Sequence, residues 1–404
     1  MHITFVLTQS LESPGGGGRY FPLAKALVDC GYEVTILALH HNFKSTRCRR
    51  FVREGVTVEY VGQMHVLKEG NRKEYFHPLV LLWIVALATL RLSWATVRRP
   101  GDLIHLGKTQ PMNAVAGWLA HHLRGVPVYA DSDDYEAINN RFGSPWQQKV
   151  VAWFEDWIPS FASGLTVGTT FIGDRFRSLG YPAEKIVLAP NGADRDRFRI
   201  LQTPEAAARV ATLRRDLGLE EGQPVVVYVG SMSLTSHAVD LLIEAFAAVC
   251  REIPESHLLL VGAGEDLPKL RRLADQAGIA GQATFVGRVD SEEIPFYYRL
   301  GTVSADPMRD SLQARSSLSL KLIESIAAGV PCVTADIGDR RQTVGEAGIA
   351  VPPGDVGALA SALLSVLGEP QRAARMRRAA ERQRDDNWWD VRVQAFTALY
   401  AHAG

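Results

Sequence analysis

The sequence predicts an α/β protein with two doubly wound, Rossmann-like parallel-sheet domains. Short apolar runs typical of buried strands alternate with helical patterns along almost the whole chain. Such alternation favours parallel sheets that helices cover on both faces. The alternation restarts after a turn signal at Asn191–Asp194, which reads NGAD. The chain has 404 residues, enough for two domains that each bury a core.

The first series of elements begins with a strand at 2–7, which a glycine-rich loop and a helix follow. Gly31 ends that helix. A further helix is predicted at 113–123, and the remaining strands of this series are predicted at 33–39, 102–106 and 126–131. The second series predicts strands at 224–230, 257–264, 283–289, 302–307 and 331–336, with helices between them.

These two series predict domains at 1–192 and 223–383, joined by a charged, helical linker at 193–222. The aromatic-rich helix at 384–404 is too apolar to stand alone, so we expect it to dock on the first domain. In such sheets ligands bind beyond the carboxyl ends of the strands. The cleft between two facing domains is therefore the expected site.

Composition narrows the classes of function. The formal net charge is zero, which gives no support for nucleic-acid binding. The four cysteines have no paired spacing, so neither a disulfide framework nor a metal site is predicted, and a reducing, cytoplasmic compartment is expected. The start of the chain lacks the charged region and cleavage site that would predict a signal peptide.

The most apolar segment, Pro78–Leu90, has two interpretations. We favour a buried core helix, because Arg91 leaves the apolar run too short to span a bilayer. The alternative is a helix on a membrane surface, which would attach the first domain peripherally to the inner membrane face. Aromatic and basic residues nearby support that alternative: Trp83, Trp94, Arg47, Arg49, Arg50 and Arg53.

The segment Arg315–Pro331, RSSLSLKLIESIAAGVP, carries the strongest signal for a binding site. A serine-rich loop ahead of an apolar helix offers backbone N–H groups and hydroxyls to an anion, and Lys321 adds a positive charge. Glu324, one helical turn further, is placed to accept hydrogen bonds from the hydroxyls of a sugar. The simpler interpretation is a surface helix in which Glu324 pairs with Lys321.

A glycine loop follows the first strand. Gly16, Gly17 and Gly18 let the backbone approach a phosphate closely, and Arg19 precedes a helix whose N-terminus favours negative charge. The loop is not the GxGxxG fingerprint, and the second strand does not end in the acidic residue that NAD binding needs. The alternative is a mobile surface loop.

Three carboxylates, those of Asp131, Asp133 and Asp134, follow another predicted strand. If they are buried together, the pKa of at least one of them rises. One could orient an acceptor hydroxyl or take its proton, and the group could also hold a divalent metal. Lys108, at the end of the preceding strand, is a candidate partner. The alternative is a polar loop in which an aspartate caps the next helix.

In this order, the features resemble the retaining nucleotide-sugar glycosyltransferases of the GT-B fold, family four, over nearly the whole chain. The match includes the glycine loop, the NGxD turn and YVGSMSLTSHAVDLLIEAF at the start of the second domain. It also includes LLLVGAGED, ATFVGRV, KLIESIAAGVPCVTAD and GIAVPPGDVGALASAL. Each motif is weak alone, and their order and spacing make the resemblance specific.

The resemblance implies a nucleotide-sugar site in the second domain, where Glu324 would bind the ribose hydroxyls. The backbone of a loop would line the sugar and the diphosphate: Ser317, Leu318, Ser319 and Leu320, with Ser316 beside it at a position that contacts the donor sugar in the family. Ser316 stands where the family has another glutamate, which leaves the identity of the donor sugar open. The backbone of a turn would meet the base: Gly287, Arg288 and Val289.

Two departures from the family concern the charge that stabilises the departing diphosphate. Ser231 and His237 stand where the family has an arginine and a lysine, so both usual cations are absent. The resemblance implies that Lys321 takes their place as a catalytic cation, with Arg315 and Arg288 as further candidates.

In the first domain, the resemblance places the glycine loop beside the donor diphosphate and the acceptor. Asp133 stands where many relatives have a histidine, which implies a catalytic role on the acceptor side. The implied reaction is retaining transfer of a hexosyl group from a nucleotide-diphosphate sugar, with a UDP-sugar as first expectation, to a hydroxyl of a glycan, a lipid or a small glycoside. No cofactor and no metal are expected. A nucleotide-sugar 2-epimerase and a non-catalytic sugar-nucleotide-binding protein remain as alternatives.

Overall fold

The computed structural model of the chain describes residues 1–13, 15–69, 72–140 and 142–401. It divides into two compact units, and the last helix belongs to the first of them. Unit 1 comprises Met1–Asn191 and Trp389–Gly404, and unit 2 comprises Gly192–Trp388.

The described residues of unit 1 form ten strands: β1 (His2–Leu7), β2 (Glu33–His40), β3 (Arg50–Arg53), β4 (Val56–Gln63), β5 (Val66–Glu69), β6 (Arg72–Tyr75), β7 (Leu103–Gly107), β8 (Val128–Ser132), β9 (Gly164–Val167) and β10 (Ile186–Leu188). Eight of them form one sheet in the order β10-β9-β8-β7-β1-β2-β4-β3. Its neighbours pair in parallel, except that β3 runs antiparallel to β4, and β5 and β6 form a separate hairpin. The helices of this unit are α1 (Phe21–Asp29), α2 (Pro78–Arg98), α3 (Pro111–Arg124), α4 (Glu136–Asn139), α5 (Pro145–Trp157), α6 (Thr170–Ser178) and, from the end of the chain, α18 (Trp389–Tyr400).

Unit 2 has a six-stranded parallel sheet in the order β13-β12-β11-β14-β15-β16. Its strands are β11 (Val225–Val229), β12 (His257–Val261), β13 (Ala283–Gly287), β14 (Val303–Asp306), β15 (Cys332–Ala335) and β16 (Gly348–Val351). Its helices are α7 (Arg195–Arg199), α8 (Pro204–Asp216), α9 (Leu234–His237), α10 (Val239–Glu252), α11 (Leu267–Gln276), α12 (Ile294–Leu300), α13 (Leu312–Ser316), α14 (Leu320–Ala327), α15 (Arg340–Val344), α16 (Val356–Leu367) and α17 (Pro370–Gln383).

The central strands of both sheets are apolar and buried along their whole length. Every residue of β7 and of β11 is buried, because helices cover both faces of the sheets. In each sheet the chain passes from one side of a central strand to the other, at β1 in unit 1 and at β11 in unit 2. Loops at the carboxyl ends of the strands separate at these points and leave room for ligands.

The segment predicted as a linker, 193–222, folds as part of unit 2. The side chain of Asp194 caps α7 by accepting from the N–H groups of Asp196 and Arg197, and α8 packs on α12. The predicted C-terminal helix is α18, which packs against α1 and buries Trp389, Val393 and Phe396 in the core of unit 1.

The structure corrects the favoured interpretation of the apolar segment as a buried core helix. The helix does not end near Leu90 but continues through Arg91 to Arg98, giving α2 a length of 21 residues. One side packs on α3 and β4, with Ala88 and Leu92 in the core. The other side is open, and the side chain of Trp83 is 69% exposed. By length and composition, Leu79–Arg98 is apolar enough to cross a membrane, with a mean hydropathy of 1.8.

Ala238, which joins α9 to α10, has a left-handed backbone with φ 45° and ψ 41°. Such a conformation costs a residue with a Cβ about 1 kcal/mol, and glycine adopts it without that cost. We expect Ala238→Gly to raise the melting temperature of unit 2 by about 2–4 °C in calorimetry. Ala208→Gly on the exposed side of α8 is the matched control and should lower it, since glycine destabilises a helix interior. A fall with Ala238→Gly as well would contradict this interpretation of the turn.

Candidate functional site

Three loops of unit 2 meet at the carboxyl ends of β11, β12 and β13, with their backbones in close contact. The N–H of Gly230 donates to the carbonyl of Val261 at 2.9 Å, and the N–H of Gly262 donates to that of Gly287 at 2.8 Å. A Cβ on Gly262 would lie 1.9 Å from the carbonyl oxygen of Gly230, so only glycine allows this approach. The turn predicted to meet a base thus has Gly287 with φ +87°, exposed Arg288 and half-buried Val289.

Lys321 lies at the start of α14. Its side chain reaches the neighbourhood of Ser231 and His237, the two positions where the family resemblance implies cations that this chain lacks. Its ammonium is 3.4 Å from Nδ1 of His237 and 3.1 Å from the carboxylate of Asp306. A Cβ on Gly230, the residue before Ser231, would lie 3.0 Å from its Cδ. The structure therefore brings the ammonium of Lys321 to the region that an arginine at position 231 and a lysine at position 237 would otherwise occupy.

His237 and Ser231 carry no charge at this site. The ammonium of Lys321, together with burial, lowers the pKa of His237 to about 3, so its imidazole is neutral and accepts from Lys321. Ser231 is exposed, and its carbonyl accepts from the hydroxyl of Tyr228 at 2.8 Å.

A buried ion pair that sequence reasoning missed holds Lys321 and the adjacent loop. Arg340, 2% exposed, donates from Nε to Asp306 at 3.2 Å and from Nη1 to the carbonyls of Ala314 and Ser317 at 2.6 and 3.2 Å. Burial opposes the ionisation of Asp306, but Lys321 and Arg340 outweigh it and hold its pKa well below the usual range. Asp306 ends β14, and a carboxylate at the end of a predicted strand was the signal available in the sequence.

The N-terminus of α14 offers donors to an anion. Its first residues have backbone N–H groups without a helical partner, as in every α-helix. Ser319, the N-cap residue, is buried, and its hydroxyl has no hydrogen-bond partner among the residues that the structure describes. Lys321 adds its charge at the same end. The arrangement can bind a phosphate through a hydroxyl, backbone donors and an ammonium.

Glu324 lies three residues after Lys321 on α14, so both point to one side of the helix. It is buried rather than on the surface, and its Oε1 accepts from Nη2 of Arg197 in α7. The described residues donate no other hydrogen bond to this carboxylate, which leaves Oε2 to accept from a ligand hydroxyl. The simpler interpretation, a surface pair of Glu324 with Lys321, is wrong, because the partners are Arg197 and Asp306.

The predicted loop residues differ in their access to a ligand. Ser316 is fully buried and its hydroxyl donates to the carbonyl of Gln313 at 3.3 Å, so the structure removes it from the predicted sugar-lining group. Arg315 is exposed and forms two hydrogen bonds with Asp310, which excludes it as the replacing cation. Leu318 is buried, and two residues are half-buried: Ser317 and Leu320.

At the carboxyl ends of the strands in unit 1, the ammonium of Lys108 forms ion pairs with several carboxylates. Its ammonium lies 2.9 Å from Asp133, 3.2 Å from Asp134 and 2.7 Å from Glu136, a carboxylate that the sequence analysis did not single out. Its backbone is strained, with φ +80°, and Asn113 fixes it by donating to its carbonyl at 3.1 Å. Strain that neighbouring groups hold in place is characteristic of functional sites.

Asp133 is the carboxylate of this group that is suited to proton transfer. Burial, Asp134 and Asp131 raise its pKa to about 7 against the opposing effect of Lys108. A general base works best with a pKa near the working pH. The oxygens of Asp133, Asp134 and Glu136 are close enough for one cation, but the ammonium of Lys108 already has that place.

A second cluster of metal-ligand types, Glu12, His40 and His41, is unsuited to a metal. The backbone N–H of Asn42 donates to Nδ1 of His40 at 3.0 Å, so the neutral ring carries its proton on Nε2, the atom that faces Glu12. A metal there would have to displace that proton.

The structure corrects the predicted substrate-binding roles of Arg19 and Asp131. Both are buried, and they form two hydrogen bonds of 2.7 Å with each other. The hydroxyls of Thr166 and Tyr20 also donate to Asp131, to Oδ1 at 2.6 Å and to Oδ2 at 3.0 Å respectively. Arg19 also donates to Asn191 at 2.9 Å. The pair therefore fixes the glycine loop and the end of unit 1 instead of contacting a ligand.

The predicted flexible loop is a π-helical turn, Gly16–Tyr20, that leads into α1. A Cβ on Gly16 would lie 2.1 Å from the carbonyl oxygen of Ser10, so close packing explains this glycine. The N–H groups of Gly16 and Gly17 donate to Ser13, which leaves neither for a phosphate. Gly18 is half-buried, and Pro14, where the motif begins, lies outside the described residues.

If Asp133 acts as a general base, Asp133→Asn should lower the rate of a reaction at this site by about 10²-fold. The pKa of Asp133 is raised to about 7, so the basic form accumulates as pH rises and the rate should increase between about pH 6 and 8. The pH profile of Asp133→Asn should lose that step. Asp134→Asn, a more exposed neighbour on the same ammonium, is the matched control with a smaller effect. An equal loss of donor affinity with Asp133→Asn would contradict an acceptor-side role.

Two family models match the chain, one in each unit. "Glycosyl transferase 4-like domain" matches residues 15–192, and "Glycosyl transferases group 1" matches residues 223–369. The chain is 32% identical to a GDP-mannose-dependent alpha-(1-6)-phosphatidylinositol monomannoside mannosyltransferase of Mycolicibacterium smegmatis. That alignment covers 57% of this chain and 60% of the relative, less than two thirds of its length.

Further similarities extend over more of the chain. It is 29% identical to a D-inositol 3-phosphate glycosyltransferase of Gordonia bronchialis, over 76% of this chain and 67% of the relative. It also resembles the solved structure of HepE of Anabaena in complex with UDP, with a TM-score of 0.74 and 19% identity. That superposition covers all of both chains.

Proposed function

The chain belongs to the nucleotide-sugar glycosyltransferases of the GT-B fold, family four, and from this premise we propose that it is a retaining hexosyltransferase acting on a hydroxyl acceptor. One observation supports the donor site above the others. Lys321 places its ammonium beside Gly230 and His237, with Glu324 on the same side of α14.

The donor would bind to unit 2 with its diphosphate at the N-terminus of α14. Lys321 and the hydroxyl of Ser319 would hold the phosphate oxygens, and Oε2 of Glu324 would accept from the ribose. Negative charge grows on the diphosphate as the bond to the anomeric carbon breaks, and the ammonium of Lys321 would stabilise that charge. Because this stabilisation is stronger in the transition state than in the bound substrate, it would accelerate the reaction.

The acceptor hydroxyl would bind to unit 1 near Asp133. With a pKa raised to about 7, this carboxylate can accept a proton at neutral pH while Lys108 holds it in place. Retention follows if the acceptor oxygen bonds to the anomeric carbon on the face from which the diphosphate departs. The bond from that carbon to the diphosphate oxygen breaks, the hydroxyl proton passes to Asp133, and the diphosphate leaves as the anion that Lys321 stabilises. The chain then supplies orientation and charge, and we propose that no cofactor and no metal take part.

The donor nucleotide is proposed to be GDP rather than the UDP that the sequence first suggests. The relative that names a GDP-mannose donor is 32% identical, whereas the UDP-bound structure is 19% identical and shows the fold alone. The acceptor is proposed to be a hydroxyl of a lipid-linked glycoside or glycan, in line with the phosphatidylinositol monomannoside in that relative's name.

A thermal-shift comparison of nucleoside diphosphates tests the donor. A ligand at 100 times its Kd stabilises the native state by about 2.7 kcal/mol. We expect GDP to raise the melting temperature by about 5–10 °C and guanosine to raise it much less, since guanosine lacks the phosphates that Lys321 and Ser319 would hold. A larger shift with UDP would overturn the choice of base, and no shift with any nucleoside diphosphate would overturn the donor site.

Two other activities give different outcomes in one further assay. A nucleotide-sugar 2-epimerase would convert the donor without an acceptor, whereas a transferase should show only slow hydrolysis there. A non-catalytic binding protein would give a thermal shift without turnover across a broad panel of acceptors. NMR of the product's anomeric proton decides retention, and an inverted configuration would contradict the proposal.

We propose a cytoplasmic location, with unit 1 bound peripherally to the inner face of a membrane. The open side of α2 supports this, because it exposes apolar and aromatic side chains and its C-terminal half carries the exposed Arg91 and Arg98. A lipid-linked acceptor would lie at that surface.

A further inference from the structure

Exposed apolar side chains concentrate on one face of unit 1. Six large ones lie on α2 and three on α5, and we call six of these nine residues the tryptophan face: Leu79, Trp83, Leu90, Trp94, Trp146 and Trp153. The other three are Val80, Leu82 and Val150. The tryptophan face includes every exposed tryptophan among the residues that the structure describes. Its side chains are 57–72% exposed. Apolar surface of this extent marks an interaction site.

The residues on α2 follow the period of the helix. Leu79, Trp83, Leu90 and Trp94 are separated by 4, 7 and 4 positions, so they form one stripe on the side away from the core. The opposite side holds Ala88 and Leu92 in the core and packs on α3. The helix is thus fixed to the sheet along one side, which suits a helix lying in a membrane interface and not one that spans it.

The part of the face on α5 is joined to α2 through α3. The indole of Trp153 stacks on that of Trp157 at 5.5 Å, and the ring of Trp157 lies 6.0 Å from that of Trp118 in α3. Trp146 and Trp153 are seven positions apart, two helical turns, and hence on one side of α5. α3 packs on both other helices, so the exposed groups of α2 and α5 belong to one layer.

The charges around the face select its partner. α2 and α3 contain no aspartate or glutamate. The one exposed acid of α5, Asp156, already pairs with Arg175. Exposed arginines accompany the first two helices, namely Arg91 and Arg98 on α2 and Arg124 on α3, and exposed Lys149 accompanies α5. The guanidinium of Arg98 lies 4.7 Å from the centre of the Trp94 ring. Tryptophans bordered by cations suit the headgroup level of an anionic bilayer.

A second copy of the chain fits the face less well. Two such faces in contact would bring the arginines of one copy against those of the other. No carboxylate on α2 or α3 could pair with them, and the exposed Asp156 of α5 is already paired with Arg175. Like charges across an interface oppose association. A lipid surface supplies both an apolar layer and negative charge.

We infer that the tryptophan face is a docking surface for the headgroup region of an anionic lipid bilayer, with α2 and α5 lying in the plane of the interface. The inference depends on the proposed function in one respect, the purpose of the binding. Docking would hold unit 1 at a surface that carries a lipid-linked acceptor. The binding itself needs no transfer reaction.

Flotation of the full chain with phosphatidylcholine vesicles, with and without phosphatidylglycerol, tests the inference. We expect binding to the anionic vesicles that falls as salt rises. The double variants Trp83→Ser/Trp94→Ser and Trp146→Ser/Trp153→Ser should each lower binding at least about tenfold, since each removes two side chains that would be buried in the interface. Leu312→Ser in unit 2, a residue of similar exposure, is the matched control and should bind like the wild type.

A charge variant separates the two contributions. Arg91→Glu/Arg98→Glu should abolish the preference for anionic vesicles, whereas Arg341→Glu, an exposed arginine of unit 2, should not. Equal binding to neutral vesicles by the wild type, unchanged binding of both tryptophan variants, or dimerisation through this face without vesicle binding would each overturn the inference.

The outcome is independent of the donor site. The melting-temperature shift with GDP should be the same in every variant that folds, so a shift without vesicle binding would refute the docking surface alone. Vesicle binding without a shift would refute the proposed function alone.

Discussion

Replacing Lys321 with methionine should lower kcat by about 10²–10³-fold, the effect of removing one charged group that stabilises a transition state. Methionine keeps most of the apolar stem that lies over Gly230 but removes the ammonium. Asp306 keeps Arg340 as a partner, so the loop beside it should hold its structure. Circular dichroism and the melting temperature check that the variant is folded before its kinetics are compared.

A second substitution tests whether Lys321 replaces the missing cations. Ser231 is exposed and lies beside Gly230, so an arginine can be accommodated there. We expect Ser231→Arg to restore at least about tenfold of the kcat that Lys321→Met loses, and to change little in the wild type. His237→Asn is the control and should have a small effect, because His237 is neutral. An unchanged kcat for Lys321→Met would remove Lys321 from the reaction.

Glu324→Ala should weaken the binding of the nucleoside diphosphate by about 10–100-fold, since a hydrogen bond to a charged group contributes about 1.5–3 kcal/mol. The variant also leaves Arg197 without its partner, so Glu324→Gln serves as the second change. It keeps the shape and one acceptor and should lose less. Titration calorimetry measures both.

Asp310→Ala is the matched control for Glu324, because it removes an exposed carboxylate of the same unit that pairs with an arginine. Its affinity for nucleoside diphosphate should equal that of the wild type. Unchanged affinity in Glu324→Ala would show that the ribose contact is wrong, and weakening in Asp310→Ala as well would show a general effect of charge.

The apolar runs predicted two parallel sheets, with four of the eight strands of the sheet in unit 1 and five of the six in unit 2. Runs such as 34–39 and 225–229 are buried on both faces, and that burial is what makes them largely apolar. The sequence predicted the first and last residues of the helices and strands less accurately. The helix predicted at 113–123 begins at Pro111, where proline suits the first turn.

The apolar segment shows where composition fails. Periodicity alone cannot distinguish a helix buried all round from one with an open apolar side, because both are rich in leucine. Helix α3 covers α2 on one side and leaves the other side open. This packing depends on the tertiary structure, so the sequence of α2 alone does not reveal it. Trp83 and Trp94 were the signal in the sequence, since tryptophan is common at membrane interfaces.

The sequence could nominate candidate residues that lie in one continuous segment, but not the partners that hold them. Lys321 and Ser319 stand out in one continuous segment. Asp306, at the end of β14, and Arg340, at the start of α15, fix that segment, and they lie 34 positions apart, so only the fold brings them together. Arg19 was assigned to substrate as part of the glycine loop, and Asp131 as one of three carboxylates after a predicted strand. Both are buried because they pair with each other, a contact between positions 112 residues apart.

The preference for a phosphorylated ligand tests the role of Lys321 most directly. Calorimetry gives the Kd of GDP and of guanosine, or of UDP and uridine if the thermal shift selects uridine, for the wild type and Lys321→Met. We expect Lys321→Met to reduce the preference for the diphosphate over the nucleoside by at least about tenfold, with the nucleoside affinity unchanged. An unchanged preference would contradict the assignment of Lys321 as the cation that holds the diphosphate.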